Sequence, residues 1–501
     1  MKKQVCNPYL PLDVYIPDGE PHVFGDRVYV YGSHDQEGGR DFCVLDYEVW
    51  SAPVDDLTDW SCPGTAYRAK QDPDWNEKRG YAMYAPDCVQ GNDGRYYLYY
   101  ALAGGGLFTG NIHAAVSEKP DGPFAYHGCV RNPDGSPLTT FITFDPAVIN
   151  DGGIIRLYYG WSLAVSPDRM PAGGVSPEML KPVMMQLFEK SAGEIDSTPE
   201  GIMGANTVEL ENDMLTIKRR PVRIVPGQFD AGGTGFEGHA FFEGSSIRKT
   251  GDMYYFIYSS EHQHELCYAT SRFPDRDFTF GGVLVSNGDI GLNGRKPEDR
   301  LMMTGNNHGS IEKINGQWYV FYHRQTHLNT FSRQGCAEKI VILPDGSIPQ
   351  AEMTSCGLNN GPLPAEGAYP ASVCCCLTNR HMPHTSQQDC GDPIPHITHE
   401  GQEHFIAGVT DGVTVGYKYF LFGGNNTLAV TLRGRAEGEL HIRLDDSEQG
   451  SIRITPDNAW HPVSLGLNAQ GAHALYLKYR GEDSLDIKEL AFTDVAIKEM
   501  E

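Results

Sequence analysis

Three acidic residues stand just ahead of short apolar segments that are typical of β-strands, and they are Asp18, Asp145 and Glu243. Two carboxyl groups can cleave a glycosidic bond when one protonates the leaving oxygen and the other activates water or attacks carbon. A third acid nearby raises the pKa of the proton donor through like-charge repulsion. Glu243 has the longest side chain of the three and suits the donor. The set therefore predicts glycoside hydrolysis, provided that the fold brings the three residues together.

The elements that must position these acids form a repeat. A short strand, a turn of Gly, Asn or Asp, and a second strand dense in aromatic residues occur together five times, a pattern typical of β-hairpins. The aromatic strands begin near Val28, Tyr96, Leu157, Tyr254 and Trp318. Five hairpins with a period of roughly 60 to 70 residues, and a longer gap before the fourth, predict a five-bladed β-propeller.

A polar residue precedes the first strand of each repeat at nearly the same offset. The innermost strands of a propeller surround its axis, so we expect these residues to converge at one mouth of the central channel. The five positions are Asp18, Asp87, Asp145, Glu243 and the pair Asn307-His308. Glu20 is a further acid beside the first position, and Glu237 is a rival to Glu243 that lacks the offset.

Five residues are candidates for binding, and one of them is Asp87, which is expected to contact substrate. Tyr84 and Trp161 are suited to stack on a sugar ring. Arg333 is a candidate clamp for a substrate or for a carboxylate, although a surface role fits it equally well. His308 either ligates a central ion or hydrogen-bonds a carboxylate, and a purely structural role is the alternative.

Composition restricts the class of partner. The chain has 501 residues and a formal charge of −25 at pH 7. Such a field repels phosphate backbones and anionic membranes, so we expect an oligosaccharide substrate, no nucleic acid and no membrane. The twelve cysteines lack metal-site spacing and are expected to be reduced. Because we find neither a signal peptide nor a membrane span, we expect a cytoplasmic enzyme. The oligomeric state stays open.

The sequence divides into three parts. Residues 1–350 carry the five repeats and are predicted to form the catalytic propeller, with an insertion of one or two short helices between 166 and 204. Residues 351–394 are rich in Pro, Gly and Cys and are predicted to be a linker. Residues 395–501 contain short alternating strands that predict a β-sandwich. The predicted fold is thus all-β.

Several of these motifs resemble glycoside hydrolase family 43 over residues 7 to 350. Pro17-Asp18-Gly19 is similar to the segment of the catalytic base, Phe144-Asp145-Pro146 to that of the modulating acid, and Phe242-Glu243-Gly244 to that of the proton donor. Tyr84-Ala85-Pro86-Asp87 is similar to a Trp-Ala-Pro-Asp segment in which Tyr replaces Trp. Asp18-Gly19 departs from the Asp-Pro that is common in the family.

The resemblance carries further implications. It implies an inverting exo-enzyme that releases a terminal α-L-arabinofuranose or β-D-xylose. It implies that Arg333 contacts substrate and that His308 approaches a structural calcium ion near the propeller axis, with no cofactor required for the chemistry. Residues 395 to 495 resemble a family 6 carbohydrate-binding module, in which Trp460 either stacks on sugar or packs in the core.

Two alternatives stay open, and a third is disfavoured. A relative that acts on galactofuranose is one, and a non-catalytic sugar-binding propeller is another. A retaining, fructan-cleaving propeller is disfavoured because its Asn-Asp-Pro-Asn and Arg-Asp-Pro segments are absent.

Overall fold

A computed structural model describes residues 5–104, 107–165, 175–198, 200–385 and 393–494. The first blade contains β1 (Glu20–Phe24), β2 (Arg27–Tyr31), β3 (Tyr47–Glu48), β4 (Trp50–Pro53) and β5 (Thr65–Tyr67). The second contains β6 (Tyr81–Gln90), β7 (Tyr96–Gly104), β8 (Leu107–Ser117) and β9 (Ala125–Cys129). The third contains β10 (Ala147–Asp151), β11 (Ile154–Trp161), β12 (Gly204–Glu209) and β13 (Val222–Pro226).

The fourth blade contains β14 (Phe241–Thr250), β15 (Met253–Ser260), β16 (Glu265–Ser271) and β17 (Thr279–Ser286), and the fifth contains β18 (Ser310–Ile314), β19 (Gln317–Gln325) and β20 (Arg333–Ile340). Each blade is an antiparallel sheet in which consecutive strands pair, except that β3 and β5 form a separate pair beside β1, β2 and β4. The predicted five-bladed propeller is confirmed.

The innermost strands close into a ring. Contacts join β1 to β6, β6 to β10, β10 to β14, β14 to β18, and β18 back to β1. A parallel bridge between Gly19 and Gly309 joins the first and last blades. Side chains packed between neighbouring blades form separate apolar clusters, and aromatic residues from the second hairpin strands supply much of each cluster. Their burial explains why these strands are so rich in Tyr and Phe.

Strand register shows which entry positions are equivalent. The first regularly paired residues of the five blades are Glu20, Asp87, Ala147, Ser246 and Ser310, opposite Tyr31, Tyr99, Tyr158, Ile257 and Phe321. Asp18, Asp145 and His308 therefore stand two residues before this point, and Glu243 three. Asp87 stands at the point itself and corresponds to Glu20. The predicted common offset is corrected for Asp87, because bulges in β6 and β14 displace the start of regular pairing.

The insertion in the third blade contains two helices, α1 (Pro177–Leu187) and α2 (Ala192–Asp196). Ser176 begins α1, since its side chain accepts a hydrogen bond from the Met179 amide and Pro177 comes next at the first helical position. The buried face of α1 packs on Trp161 through Leu180, Met184 and the neighbouring Phe188. Residues 166–174 of the predicted insertion lie outside the described residues.

The remaining strands form one hydrogen-bonded network. They are β21 (Leu363–Pro364), β22 (Gly367–Pro370), β23 (Cys376–Thr378), β24 (His396–Glu400), β25 (Glu403–Val409), β26 (Thr414–Gly434), β27 (Glu437–Leu444), β28 (Ser447–Ile454), β29 (Asp457–Glu482) and β30 (Leu485–Asp494). The long strands β26 and β29 pair along most of their length. One end of this pair joins β23 and β27, and the other end joins β30, so two groups of strands share it.

This second domain has a single apolar core to which both groups of strands contribute. The predicted linker is corrected in part, since β21, β22 and β23 lie within residues 351–394 and pair with β26 and β30. Cys374, Cys375 and Cys376 are buried there, and every cysteine in the described part of the chain is free. The described residues include no helix with the length and apolar character needed to cross a bilayer.

Candidate active site

Asp18, Asp145 and Glu243 line one cavity of about 730 Å³ at the propeller. Arg333 and His308 line it as well. The three carboxyl groups come from the first, third and fourth blades, so the ring of innermost strands brings together residues that are distant in the sequence. Other residues of the wall are Asp41, Phe42, Trp75, Glu77, Tyr81, Tyr84, Phe144, Phe242, Gln263, Asn306, Thr330 and Thr385.

The Asp18 carboxylate is buried beside the Arg333 guanidinium and the rings of His308 and His323. Its Oδ1 accepts a hydrogen bond from Arg333 Nη1 at 2.9 Å and lies 3.2 Å from His323 Nδ1. Burial opposes the ionisation of Asp18, but Arg333 and His323 outweigh it and hold the pKa of this carboxyl well below its usual range. Asp18 is therefore ionised at neutral pH. The remaining guanidinium nitrogens of Arg333 bind Asp35, which fixes the orientation of Arg333.

Glu243 has a different environment. Its Oε2 accepts a hydrogen bond from the Trp161 indole at 3.1 Å, and its Oε1 accepts one from the Asn306 amide at 3.2 Å. Burial raises the pKa of Glu243 to about 7; the negative charge of Asp18 adds to this, while the two hydrogen bonds oppose it. A carboxyl group with this pKa keeps its proton under mildly acidic conditions and can donate it.

Asp145 lies beside Glu243. Its Oδ2 accepts a hydrogen bond from the backbone N–H of Gly244 at 3.0 Å. Burial, together with the charges of Glu243 and Asp18, raises the pKa of Asp145 well above its usual range. Asp145 and Asp18 both adopt positive φ, 43° and 58°, a backbone conformation that is uncommon for residues other than glycine and is often found at functional sites.

His308 is buried between the two aspartates. Its Nδ1 lies 3.7 Å from Asp18 Oδ1 and 3.9 Å from Asp145 Oδ2. Burial lowers the pKa of His308 to about 4, so the ring is neutral at pH 7. Its Nε2 is buried and has no hydrogen-bond partner among the described residues. An unpartnered imidazole nitrogen suits one ligand position of a metal ion.

His308 can offer a metal ion only one ligand atom, its Nε2. Among the described residues, three groups of His, Cys, Asp or Glu ligand atoms are close enough to share an ion, and His308 belongs to none of them. A calcium ion at His308 would therefore take most of its ligands from other oxygens, a composition that suits the hard Ca²⁺ ion.

The other predicted binding residues differ in position. Tyr84 lines the cavity and packs against Phe144, with ring centroids 5.2 Å apart. Asp87 does not line the cavity. It is fully buried, and its oxygens accept hydrogen bonds from the backbone of Cys88 and Val148 and lie 2.6 Å from His22 Nε2. The structure therefore assigns Asp87 a structural contact and not a sugar contact.

Trp161 is likewise absent from the cavity wall. Its ring is 4% exposed and packs against Phe188 and Phe242, while its N–H binds Glu243. Trp161 therefore holds the carboxyl group of Glu243 in place. The prediction that it stacks on a sugar ring is corrected, because its ring is buried against Phe188 and Phe242.

Neither rival acid enters the cavity. Glu20 is buried and binds Arg248 and Ser246. Burial and the charge of Asp87 raise the pKa of Glu20 to about 8. Glu237 is exposed and accepts a hydrogen bond from the backbone of Gly233, as a loop residue does.

Sequence reasoning missed several contributors. Asp35 orients Arg333, His323 lies beside Asp18, and Asn306 binds Glu243. Asn306 stands two residues before His308 in the entry loop of the fifth blade, outside the offset that the other entry residues share. His323 lies inside an aromatic strand, where composition gives no such signal.

Comparisons with known proteins agree with this geometry. The family model described as Glycosyl hydrolases family 43 matches residues 7–169. A xylosidase/arabinosidase from Thermoclostridium stercorarium is 43% identical over 504 residues, an alignment that covers 97% of this chain and 98% of the relative. A beta-xylosidase from Xylanibacter ruminicola is 27% identical over 324 residues, covering 62% of this chain and 87% of the relative.

A solved structure is also similar. It is that of a GH43 beta-xylosidase/alpha-arabinofuranosidase from a compost microbial metagenome, in complex with xylotriose and in a calcium-free form. It is 26% identical to this chain with a TM-score of 0.51, and the match covers 70% of this chain and 98% of that one.

Proposed function

Because the chain belongs to glycosyl hydrolases family 43, we propose that it is an inverting exo-glycosidase that releases a terminal pentose, α-L-arabinofuranose or β-D-xylose, from short plant-type oligosaccharides. Family membership makes the chain a glycoside hydrolase. The relatives described as a xylosidase/arabinosidase and as a beta-xylosidase support the choice of pentose.

One observation carries the proposal. Two carboxyl groups on the wall of a single cavity have pKa values shifted in opposite directions, downward for Asp18 and upward for Glu243. Opposed pKa values are what separate a base from an acid at one pH. A non-catalytic sugar site needs hydrogen-bond donors and aromatic surface, but it has no use for this difference.

The proposed reaction is a single displacement. Asp18 accepts a proton from a water molecule, and the oxygen of that water bonds to the anomeric carbon as the bond to the leaving oxygen breaks. Glu243 donates its proton to the leaving oxygen. Asp145 is the proposed modulator of the acid, and its hydrogen bond from the Gly244 amide keeps the turn that carries Glu243 in place. The products are the free pentose and the shortened oligosaccharide.

His308 has no part in these proton transfers. It is neutral and lies beside Asp18 and Asp145, where it separates the two carboxylates. A calcium ion bound through His308 would supply positive charge near the axis and stabilise the neighbouring carboxylates. The reaction itself requires no cofactor.

The C-terminal domain resembles a carbohydrate-binding module, and this stays a prediction. Trp460, its candidate stacking residue, has the guanidinium of Arg433 4.3 Å from its ring centroid and Phe405 packed against its edge at 5.5 Å. These contacts favour a packing role for Trp460. An oligosaccharide site elsewhere on the domain is compatible with them.

The test is a panel of nitrophenyl glycosides, including arabinofuranoside, xyloside and galactofuranoside, on wild type and Glu243→Gln. We expect one pentoside to be hydrolysed by wild type. On the corresponding disaccharide, whose sugar leaving group requires a proton, Glu243→Gln should lose about a thousandfold in kcat while still binding the sugar. Proton NMR of the first-formed sugar should show inverted anomeric configuration. Preference for the galactofuranoside would replace the pentose assignment, and sugar binding without turnover in wild type would leave a binding protein.

A further inference from the structure

The rim of the cavity includes a segment that joins the two domains. Residues 381–385, which we call the strap, come after β23 and end at Thr385, which lines the cavity. Met382 packs against Met303 at its buried side, and the carbonyl of Pro383 accepts a hydrogen bond from the backbone of Thr304. The strap is thus fixed against the loop that carries Asn306 and His308.

His384 links the strap to a second rim residue. Its Nε2 lies 3.3 Å from Gln263 Oε1, and its Nδ1 lies 2.9 Å from Thr304 Oγ1. A carboxamide oxygen only accepts hydrogen bonds, so Nε2 carries the proton and Nδ1 accepts from the Thr304 hydroxyl. This contact fixes the rotation of the Gln263 amide.

Gln263 also lines the cavity. Since His384 occupies its carbonyl oxygen, its amide nitrogen is the group available to donate to a ligand hydroxyl. The backbone of Gln263 has a φ of 65°, so this loop position is defined by an unusual local conformation. Gln263 comes shortly after β15, in which Ser259 pairs with Glu243, so Gln263 and Glu243 belong to the same side of the site.

The position of the leaving sugar can be inferred from the position of the acid. Asp18 and Asp145 are 3% exposed and Glu243 is 9% exposed, so the sugar that is released occupies the buried end of the cavity. Glu243 protonates the leaving oxygen, and the rest of the oligosaccharide must extend from there toward the rim. Gln263 and Thr385 are half-buried residues of that rim on the side of Glu243.

We propose that the strap and Gln263 form the binding site for the leaving-group sugar, in which the Gln263 amide contacts a hydroxyl of that sugar and His384 is a positioning residue for Gln263. This inference rests on the proposed glycosidase function. It assigns a segment of the domain connection to specificity, so that part of the substrate site lies outside the propeller blades.

The test compares two substrates that share the released pentose. A nitrophenyl pentoside has no leaving sugar, whereas the corresponding disaccharide has one. For Gln263→Ala and His384→Ala we expect kcat/KM for the disaccharide to fall at least tenfold more than kcat/KM for the nitrophenyl glycoside, mostly through KM. His384→Gln keeps an N–H donor at similar reach and should restore most of the disaccharide preference.

His381→Ala is the matched control, because His381 is an exposed histidine of the same strap that does not line the cavity. It should leave the ratio of the two rates unchanged. An equal fall for both substrates, or no change for either, would overturn the proposal. Gln263→Ala alters a loop side chain and provides a folded variant if His384→Ala unfolds.

A failure of the glycosidase assignment would be seen separately. If wild type hydrolyses no glycoside, calorimetric titration of xylotriose into wild type and Gln263→Ala decides the matter. A tenfold weaker affinity in the variant would support the site, and equal affinity or no binding by wild type would overturn it.

Discussion

Asp18 and Glu243 are both carboxyl groups, and their surroundings decide which one holds a proton. Arg333 gives Asp18 a full positive charge at 2.9 Å. Glu243 receives only two neutral donors, Trp161 and Asn306, and burial dominates its pKa. Neutral donors stabilise an ionised carboxylate less than a cation does. The direction of proton transfer at the site thus depends on the charge of the nearest partner.

The Trp161 indole N–H stabilises the ionised form of Glu243. Trp161→Phe removes this donor and should raise the pKa of Glu243. We expect the alkaline limb of the kcat/KM profile, near pH 7 in wild type, to move up by about one to two units, because a hydrogen bond to a charged group is worth about 1.5–3 kcal/mol.

The measurement is kcat/KM against pH on a nitrophenyl pentoside. Trp318→Phe is the control, since Trp318 packs in the fifth blade away from the cavity. A limb that stays fixed or moves to lower pH in Trp161→Phe would contradict the role given to the indole.

At this scale the sequence predicts much of the catalytic set but not all roles. The types and spacing of Asp18, Asp145 and Glu243 identify the acids. The role of Trp161 could not be predicted, because the sequence does not show that its indole lies beside Glu243, and an aromatic residue near a sugar site suggests a stacking surface. Its orientation depends on packing against Phe188 of the insertion, which is a tertiary contact.

Among the elements, the entry turns of the blades are the most informative. Positive φ recurs two residues before regular pairing begins, at Asp18, Ala85, Asp145 and Gly244. In each turn, either the residue with positive φ or the residue before it lines the cavity. The repeat of these turns is visible in the sequence. A β-bulge, however, changes the strand register, and only the observed strand pairing reveals it. The predicted offset of Asp87 is wrong for that reason.

Gly244→Ala should be costly for this element. Gly244 has a φ of 74°, and a Cβ there would meet His308 Cγ at 3.0 Å. We expect a loss of about 2–4 kcal/mol in the free energy of unfolding from backbone strain and crowding, and a loss of activity because the Gly244 amide holds Asp145.

Urea denaturation and steady-state rates on the same preparations measure both effects. Gly251→Ala is the matched control in the same blade, since Gly251 also has positive φ, 57°, but open space around its Cβ. It should cost about 1 kcal/mol and leave activity intact. Equal losses in the two variants would show that crowding at His308 is unimportant.

For the whole molecule, the contact between the domains is built from buried charge. Lys418 Nζ in the second domain binds Asp289 of the propeller at 2.8 Å and Glu352 at 2.9 Å. Arg324, another buried cation, donates to the carbonyl of Cys374. Since breaking such contacts leaves charges uncompensated, we expect the two domains to be stable as one unit.

Lys418→Met tests this interface. The variant leaves the Asp289 carboxylate buried without its cation, and we expect a loss of about 3–5 kcal/mol in the free energy of unfolding at pH 7. Burial already raises the pKa of Asp289, and losing Lys418 raises it further. The penalty should therefore shrink as pH falls toward the ordinary pKa of an aspartate, where the group is neutral in both states.

Urea denaturation at pH 7 and pH 5 provides the measurement. Lys488→Met is the control, because Lys488 pairs with the largely exposed Glu403 at 3.2 Å, and exposed pairs contribute about 0–1 kcal/mol. A loss in Lys418→Met no greater than in this control would contradict the interface described.

Domain organisation is predictable in outline. Periodicity separates the propeller from the C-terminal region, and alternating strands identify a second β domain there. The boundary is not predictable, because the Pro- and Gly-rich residues 351–394 have the composition of a linker. Short strands such as β21 and β23 are stabilised by pairing with β26. Their partners in β26 lie about fifty positions further along the chain, so the local sequence does not reveal the pairing.

The bridge between Gly19 and Gly309 has a consequence for synthesis. Asp18 is synthesised 315 positions before Arg333, the residue that supplies its cationic partner. A nascent chain that has completed four blades still lacks the cation that keeps Asp18 ionised. We therefore expect a polypeptide that ends before Arg333 to be unable to hydrolyse sugar.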